Sequence, residues 1–276
     1  MCIRSGKGWT LALTAALLAA TLLLAACGGA SPENSGTITV AGSTTVQPLA
    51  EKLANAFRNT HHDVHISIQG GGSSTGVKSV ANGTVDIGAA SRELEESEQG
   101  QGLVTHLLCR DAIAVVTHPD SVVTGLSARQ VRGIFAGDIT NWSQVGGASA
   151  AIHVIAREEG SGTRAAFEEL VMEDSLITAD AILLPSNGAL RTAVSGDPDS
   201  IGFLSFAYVN ETIQALAIDG VTATRENAVA GTYPILRPLY FLTLGEPSGI
   251  VKDFIDFAKS VEGQAIMKAE GYIGVG

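Results

Sequence analysis

Cysteine is nearly absent from this chain. Two of its three cysteines, Cys2 and Cys27, stand at the amino-terminal end. Cys109 is the only later one, which excludes a disulfide within the rest of the chain. It closes the apolar run of residues 103–108 and is expected to be a packed small side chain, not a nucleophile. Cations are scarce too: 17 Lys and Arg face 28 Asp and Glu, a formal net charge of -11. Arg4 and Lys7 are the only charges in residues 1–26, so the chain from Cys27 onward carries -13. Such a field excludes nucleic acid and anionic membrane surfaces as partners. Any anion site must therefore be local, because the overall field repels anions. Charged residues amount to only 16%, whereas glycines number 32. This composition excludes a disordered chain and suits a compact α/β protein. No tandem repeat at a solenoid period is present.

Long apolar runs are confined to the amino terminus. Arg4 and Lys7 form a basic region, and residues 11–26 are apolar apart from Thr14 and Thr21. Leu24-Ala25-Ala26-Cys27 is followed by Gly28-Gly29 and resembles a bacterial lipobox. The run is short for a membrane-spanning anchor, and a Gly/Ser/Pro linker follows it instead of a basic flank. The expectation is a signal peptide over residues 1–26, lipidation of Cys27 and a linker over residues 27–36. A soluble domain would then be tethered to the membrane, facing the periplasm or the cell exterior.

From Thr37 the chain alternates strand and helix patterns, which gives an α/β fold class. Three turns of one kind recur: residues 42–45, 70–76 and 160–163. Each follows an alternating apolar stretch and opens a run with helical spacing. The first N–H groups of a helix lack internal partners, and the aligned peptide dipoles add partial positive charge there. Ser and Thr hydroxyls, close-approaching glycines and the cations Arg92 and Arg157 would complete a cradle for a small tetrahedral oxyanion. No lysine lies in these turns, so most donors are neutral and rigid. The bland alternative for each Ser or Thr is a plain helix cap. Further strands are expected over residues 103–108 and 112–117, and two helices close the chain.

Other chemistries fit less of the sequence. Residues 71–76 have Walker spacing, but Val77 stands where the lysine is needed. Gly72-Ser73-Ser74-Thr75-Gly76 matches G-x-S-x-G, so a serine hydrolase using Ser74 is the alternative from another class; it requires a Ser74–His hydrogen bond. His61, His62 and His65 lie in a polar turn without a fourth ligand and read as a solvated loop. The acidic run of residues 93–98 reads as solvated surface, and Trp142 as core.

Taken together, these residues resemble the phosphate-binding proteins of ABC importers, the PstS type. The resemblance runs through Ala41-Gly42-Ser43-Thr44-Thr45-Val46-Gln47-Pro48, the loop of residues 70–76, and Asp86-Ile87-Gly88-Ala89-Ala90-Ser91-Arg92. It continues through Ile139-Thr140-Asn141-Trp142, residues 157–164, Ser186-Asn187-Gly188 and Tyr233-Pro234-Ile235-Leu236-Arg237-Pro238-Leu239. It implies a two-lobed periplasmic-binding-protein type II fold with two hinge crossings and a ligand cleft between the lobes. Lobe 1 is expected to hold residues 37–110 and 243–276, and lobe 2 residues 111–242. Carried over by motif, Thr44, Thr45, Ser73, Arg92, Arg157, Ser161, Gly162 and Thr163 line the site, with Ser43, Ser74, Ser91 and Asn187 as adjacent candidates. The resemblance further implies a monomer that needs no cofactor or metal, catalyses nothing and hands inorganic phosphate to ABC permease subunits. One departure bears on the cargo. Some members place an aspartate, which accepts the proton of hydrogen phosphate, where this chain has Arg92. Asp86, Glu158 or Glu159 are the candidate substitutes, and sulfate, molybdate or tungstate are the alternative ligands.

Overall fold

The structure is a computed structural model that describes residues 35–275. The expected signal peptide, linker start and Cys27 lie outside the described residues. Lobe 1 begins with β1 (Ser35–Gly42), α1 (Val46–Phe57), β2 (Asp63–Gly70), α2 (Ser73–Ala81) and β3 (Ile87–Ala90). β4 (Leu103–Thr117) leads to β5 (Gly125–Leu126) and α3 (Ala128–Ala136). Then come β6 (His153–Arg157), α4 (Gly162–Phe167), β7 (Ile182–Leu184), α5 (Asn187–Ser195) and β8 (Ser200–Ser205). After β9 (Gln214–Ala215), β10 (Ala217–Ile218), β11 (Val221–Thr222) and the short α6 (Arg225–Val229), β12 (Leu236–Leu244) returns to the first lobe. α7 (Gly249–Lys259), α8 (Val261–Ala269) and β13 (Ile273–Gly274) close the described chain.

Local rules account for most of these elements. α1 buries Val46, Leu49, Ala50, Leu53, Ala54 and Phe57, one stripe at helical spacing. Ser127 and Gln130 form a reciprocal capping box at the start of α3, and Gly137 ends it in the left-handed region.

Most strands form one curled sheet in the order β2-β1-β3-β12-β4-β8-β6-β7, with β9 and β13 also paired to β4, and β5, β10 and β11 form a separate three-stranded sheet. β1, β2 and β3 are mutually parallel, as are β6, β7 and β8. β12 pairs β3 and β4 pairs β8, both antiparallel, and β4 and β12 pair antiparallel with each other, which joins the two groups. The first part of β4 pairs β12, and residues 113–117 pair β8, so one strand serves both lobes. This corrects the expectation of two successive strands: Cys109, Arg110 and Asp111 continue β4 instead of breaking it. A register shift beside Leu239 and Tyr240 bends the β4–β12 pair at that point.

Two apolar cores flank the crossing. One packs Ile38, Leu49, Phe57 and Phe241 under α1 and α7; the other packs Ile113, Phe135, Phe167 and Phe203. The few aromatics concentrate there. Phe167 and Phe203 stack at 4.0 Å with Phe135 edge-on, and Phe57 meets Phe254 edge-on at 5.3 Å. Trp142 and Cys109 are buried as expected, and burial pushes the Cys109 thiol well up. Among the described residues no helix is long and apolar enough to cross a membrane.

Candidate anion-binding site

Parallel pairing puts the carboxyl ends of β1, β2 and β3 on one edge of their lobe, and those of β6, β7 and β8 on one edge of the other. The two edges meet near the middle of β4, where Ile113 pairs with Ser205. Gly42 opens the first loop with φ 138°, and a Cβ on it would sit 2.2 Å from the Ala89 carbonyl oxygen. Ser43 Oγ then accepts from the N–H groups of Thr45 and Val46, just ahead of α1. That leaves the Thr44 and Thr45 hydroxyls to face the other lobe.

Contacts across the cleft are direct. Thr45 Oγ1 lies 3.3 Å from Thr163 Oγ1. The Ser74 N–H donates to the Gly160 carbonyl at 3.1 Å, and the Tyr208 hydroxyl donates to the Thr44 carbonyl at 2.7 Å. A Cβ on Gly162 would fall 2.1 Å from Ser73 Oγ and 2.7 Å from Ser91 Oγ. The first turns of α4 and α2 thus touch, which brings the backbone donors of one lobe onto the hydroxyls of the other. Ser161 Oγ accepts from the Arg164 N–H, so the cap reading holds for Ser161; its own O–H remains a donor. Ser73 Oγ accepts from the Ser91 N–H at 3.0 Å and lies 3.3 Å from Ser91 Oγ.

Three arginines reach this region, and their hydrogen bonds distinguish them. A guanidinium has five N–H donors. Arg157, only 1% exposed, sends Nε to the Leu184 carbonyl and Nη2 to the Pro185 carbonyl and Thr44 Oγ1. Its Nη1 is buried without a partner. None of the ion pairs among the described residues includes Arg157. Burial, reinforced by nearby Arg237, pulls its pKa down to about 10. A desolvated cation with two unengaged N–H groups suits an incoming anion.

Arg237, on β12, is equally buried but fully engaged. Nε and Nη2 bind Asp111 Oδ2 at 3.1 and 2.8 Å, Nη1 reaches Ser91, and Nη2 also donates to Thr45 Oγ1 at 3.1 Å. Arg92 is engaged as well, but elsewhere. Its Nη1 and Nη2 grip both oxygens of Glu98, Nη1 donates to the Glu93 carbonyl, and Nη2 donates to Ser74 Oγ and pairs with Glu95. Arg92 is thus a paired charge, in a groove beside the cleft shared with Glu95, Glu159 and Arg164. The acidic run is not all solvated surface either, because Glu98 is buried against Arg92.

The structure separates the remaining candidates. Asn187 is fully buried and donates to Thr45 Oγ1 at 2.9 Å and Thr44 Oγ1 at 3.4 Å. Asp86 sits at the amino end of β3 and accepts from Thr39, at the far edge of the sheet from the cleft. Glu158 and Glu159 are exposed. Ser74 Oγ is held by Arg92 and, among the described residues, bonds no histidine, which removes the basis of the hydrolase alternative. His61 stacks on Phe57 at 3.9 Å, and no group of three metal-ligating side chains occurs among the described residues. Sequence reading missed Asp111 and Arg237 as site residues. Their signal was a charge of each sign inside otherwise apolar strands, where a buried charge requires a partner.

A two-lobed α/β protein with a small, donor-lined, cationic cleft belongs to the class of solute-binding proteins. The family model for the PBP superfamily domain matches residues 28–262. The phosphate-binding protein PstS of Bacillus subtilis (strain 168) is 34% identical over 277 residues, covering 94% of this chain and 92% of that protein. A protein from Clostridium perfringens whose crystal structure carries bound phosphate is similar at TM-score 0.85 and 38% identity, over 87% of this chain and 100% of that one. An ABC-type phosphate transport receptor from Vibrio cholerae gives 0.73 and 33%, over 87% and 100%. The chain belongs to the PstS-type phosphate-binding proteins of the PBP superfamily.

Proposed function

We propose that this chain binds inorganic phosphate between its lobes and delivers it to an ABC import permease, without catalysing a reaction. The observation that carries this reading is the buried Arg157 guanidinium, whose Nη1 has no partner and which forms no ion pair among the described residues. The proposed ligand contacts are Arg157 Nη1, the hydroxyls of Thr44, Thr45, Ser73, Ser91, Ser161 and Thr163, and the N–H groups of the first turns that contain Ser73, Gly162 and Thr163. β4 and β12 serve as the two crossings about which the lobes close on the anion. Cys27 carries the lipid that tethers the monomeric domain outside the cytoplasm. Incorporation of labelled palmitate by the full chain, lost in Cys27→Ser, tests that anchor.

The cargo is tested by equilibrium binding of labelled phosphate to residues 31–276, stripped of ligand by unfolding and refolding. Sulfate and molybdate serve as competitors. One-to-one phosphate binding that neither competitor displaces supports the reading. Preferential sulfate or molybdate binding keeps the site and changes the cargo, and no oxyanion binding refutes the receptor reading.

A further inference from the structure

Arg237 cannot serve the ligand directly, because all five of its N–H groups are directed at protein atoms. What it does instead follows from the hydroxyl it touches. A threonine hydroxyl has one proton and two acceptor lone pairs. Thr45 Oγ1 receives Arg237 Nη2 at 3.1 Å and Asn187 Nδ2 at 2.9 Å. The orientation of the Asn187 amide is itself fixed, because its Oδ1 accepts from the Ser205 N–H at 3.2 Å. Both incoming groups can only donate, so both lone pairs of Thr45 Oγ1 are occupied. Its proton has one direction left, toward the cleft where Thr163 Oγ1 stands.

The donors are locked by a closed ring of hydrogen bonds. Ser205 Oγ donates to Asp111 Oδ1, Asp111 Oδ2 holds Arg237, and Arg237 and Asn187 converge on Thr45; the Ser205 N–H closes the ring at Asn187. Asp111 and Arg237 sit on the crossing strands, Asn187 and Ser205 on the second lobe, and Thr45 on the first. The full set of bonds therefore forms only when the lobes come together.

We propose that Arg237, held by Asp111, is a positioning residue that fixes the Thr45 hydroxyl as an obligatory donor to the bound anion. This rests on the oxyanion-receptor reading and adds a residue to it. Pre-orienting a hydroxyl avoids the ordering cost of binding, and it denies that hydroxyl to a ligand group that must itself donate a proton.

The test is a double-mutant cycle read by calorimetric titration with phosphate, or with sulfate or molybdate if one of these is what the wild type binds. The neutral pair Asp111→Asn with Arg237→Met removes the donor without leaving a buried orphan charge. It is expected to weaken binding about tenfold in the wild-type background, as for one charge-assisted hydrogen bond. In a Thr45→Val background the same pair is expected to cost less than about threefold, because its target is already gone. A merely structural role would give the same loss in both backgrounds. Arg237→Lys is the second variant: it keeps the charge opposite Asp111 but lacks the planar fork, and the same tenfold loss and the same coupling are expected. Wild-type anion binding with equal losses in the two backgrounds overturns the positioning role and leaves the receptor reading standing. Binding of none of phosphate, sulfate and molybdate by the wild type overturns both.

Discussion

Gly162 of one lobe and Ser73 of the other approach so closely that a Cβ on Gly162 would stand 2.1 Å from Ser73 Oγ. No methyl group fits between them while the lobes are together. Gly162→Ala should therefore oppose closure and raise the phosphate Kd by about tenfold to a hundredfold, the usual range for overpacking a tight contact. The contact lies between lobes and not within a core, so the unliganded melting temperature should stay close to wild type. Titration and thermal melting of the variant check both parts.

Thr163 faces Thr45 across the cleft at 3.3 Å between hydroxyl oxygens. Thr163→Val keeps the shape and removes the hydroxyl. Phosphate affinity should fall about tenfold or more, the loss of one hydrogen bond to a charged ligand, with folding unaffected. An unchanged Kd would place Thr163 outside the ligand shell.

The pH dependence of binding has a defined sign. Burial, with Arg237 adding to it, brings Arg157 down to about 10 in the unliganded protein. The protonated guanidinium is the binding form, so affinity should be lost as pH rises through about 10. A bound anion restores the higher pKa, so binding near that pH should take up a proton. Titration in buffers of different ionisation enthalpy measures this uptake, and its absence near pH 10 would argue against Arg157 as the ligand's cation.

Glu98 makes a separate prediction about stability. Burial opposes its ionisation, but the Arg92 hydrogen bonds and the Glu95 N–H outweigh that and hold its carboxyl below the usual value. A depressed folded-state pKa contributes stability that is present above the unfolded pKa and lost as pH falls through the folded one. Glu98→Gln should destabilise the fold by about 2 kcal/mol at neutral pH, typical of charged hydrogen bonds. The difference should shrink below about pH 4. Urea unfolding at neutral and acid pH checks it.

The three hydroxyl-rich turns were legible because each combines a strand period, a glycine turn and a helical period within a dozen residues. Arg157 was legible for the same reason, as the last residue of its strand. The pairing of Arg92 was not legible, because motif position says where a Cα lies and not where a guanidinium points. The carboxylate that turns it away, Glu98, sits in an acidic run whose local pattern is that of a solvated face. Arg237 and Asp111 were not legible as a pair, since 126 residues separate them and only the β4–β12 register brings them together. The continuity of β4 through Arg110 and Asp111 was hidden likewise: two charges interrupt its apolar pattern, yet one of them is buried by a partner on the neighbouring strand.

The proposed function makes Arg157, and not Arg92, the cation that receives the anion, and one comparison tests this most directly. Phosphate would be titrated calorimetrically into wild type, Arg157→Ala, and the neutral pair Arg92→Gln with Glu98→Gln. Arg157→Ala should lose at least about a hundredfold in affinity, as for removal of a buried hydrogen-bonded charge. The Arg92–Glu98 replacement should stay within about threefold of wild type. The opposite order, with binding retained in Arg157→Ala and lost in the Arg92–Glu98 pair, would contradict the account.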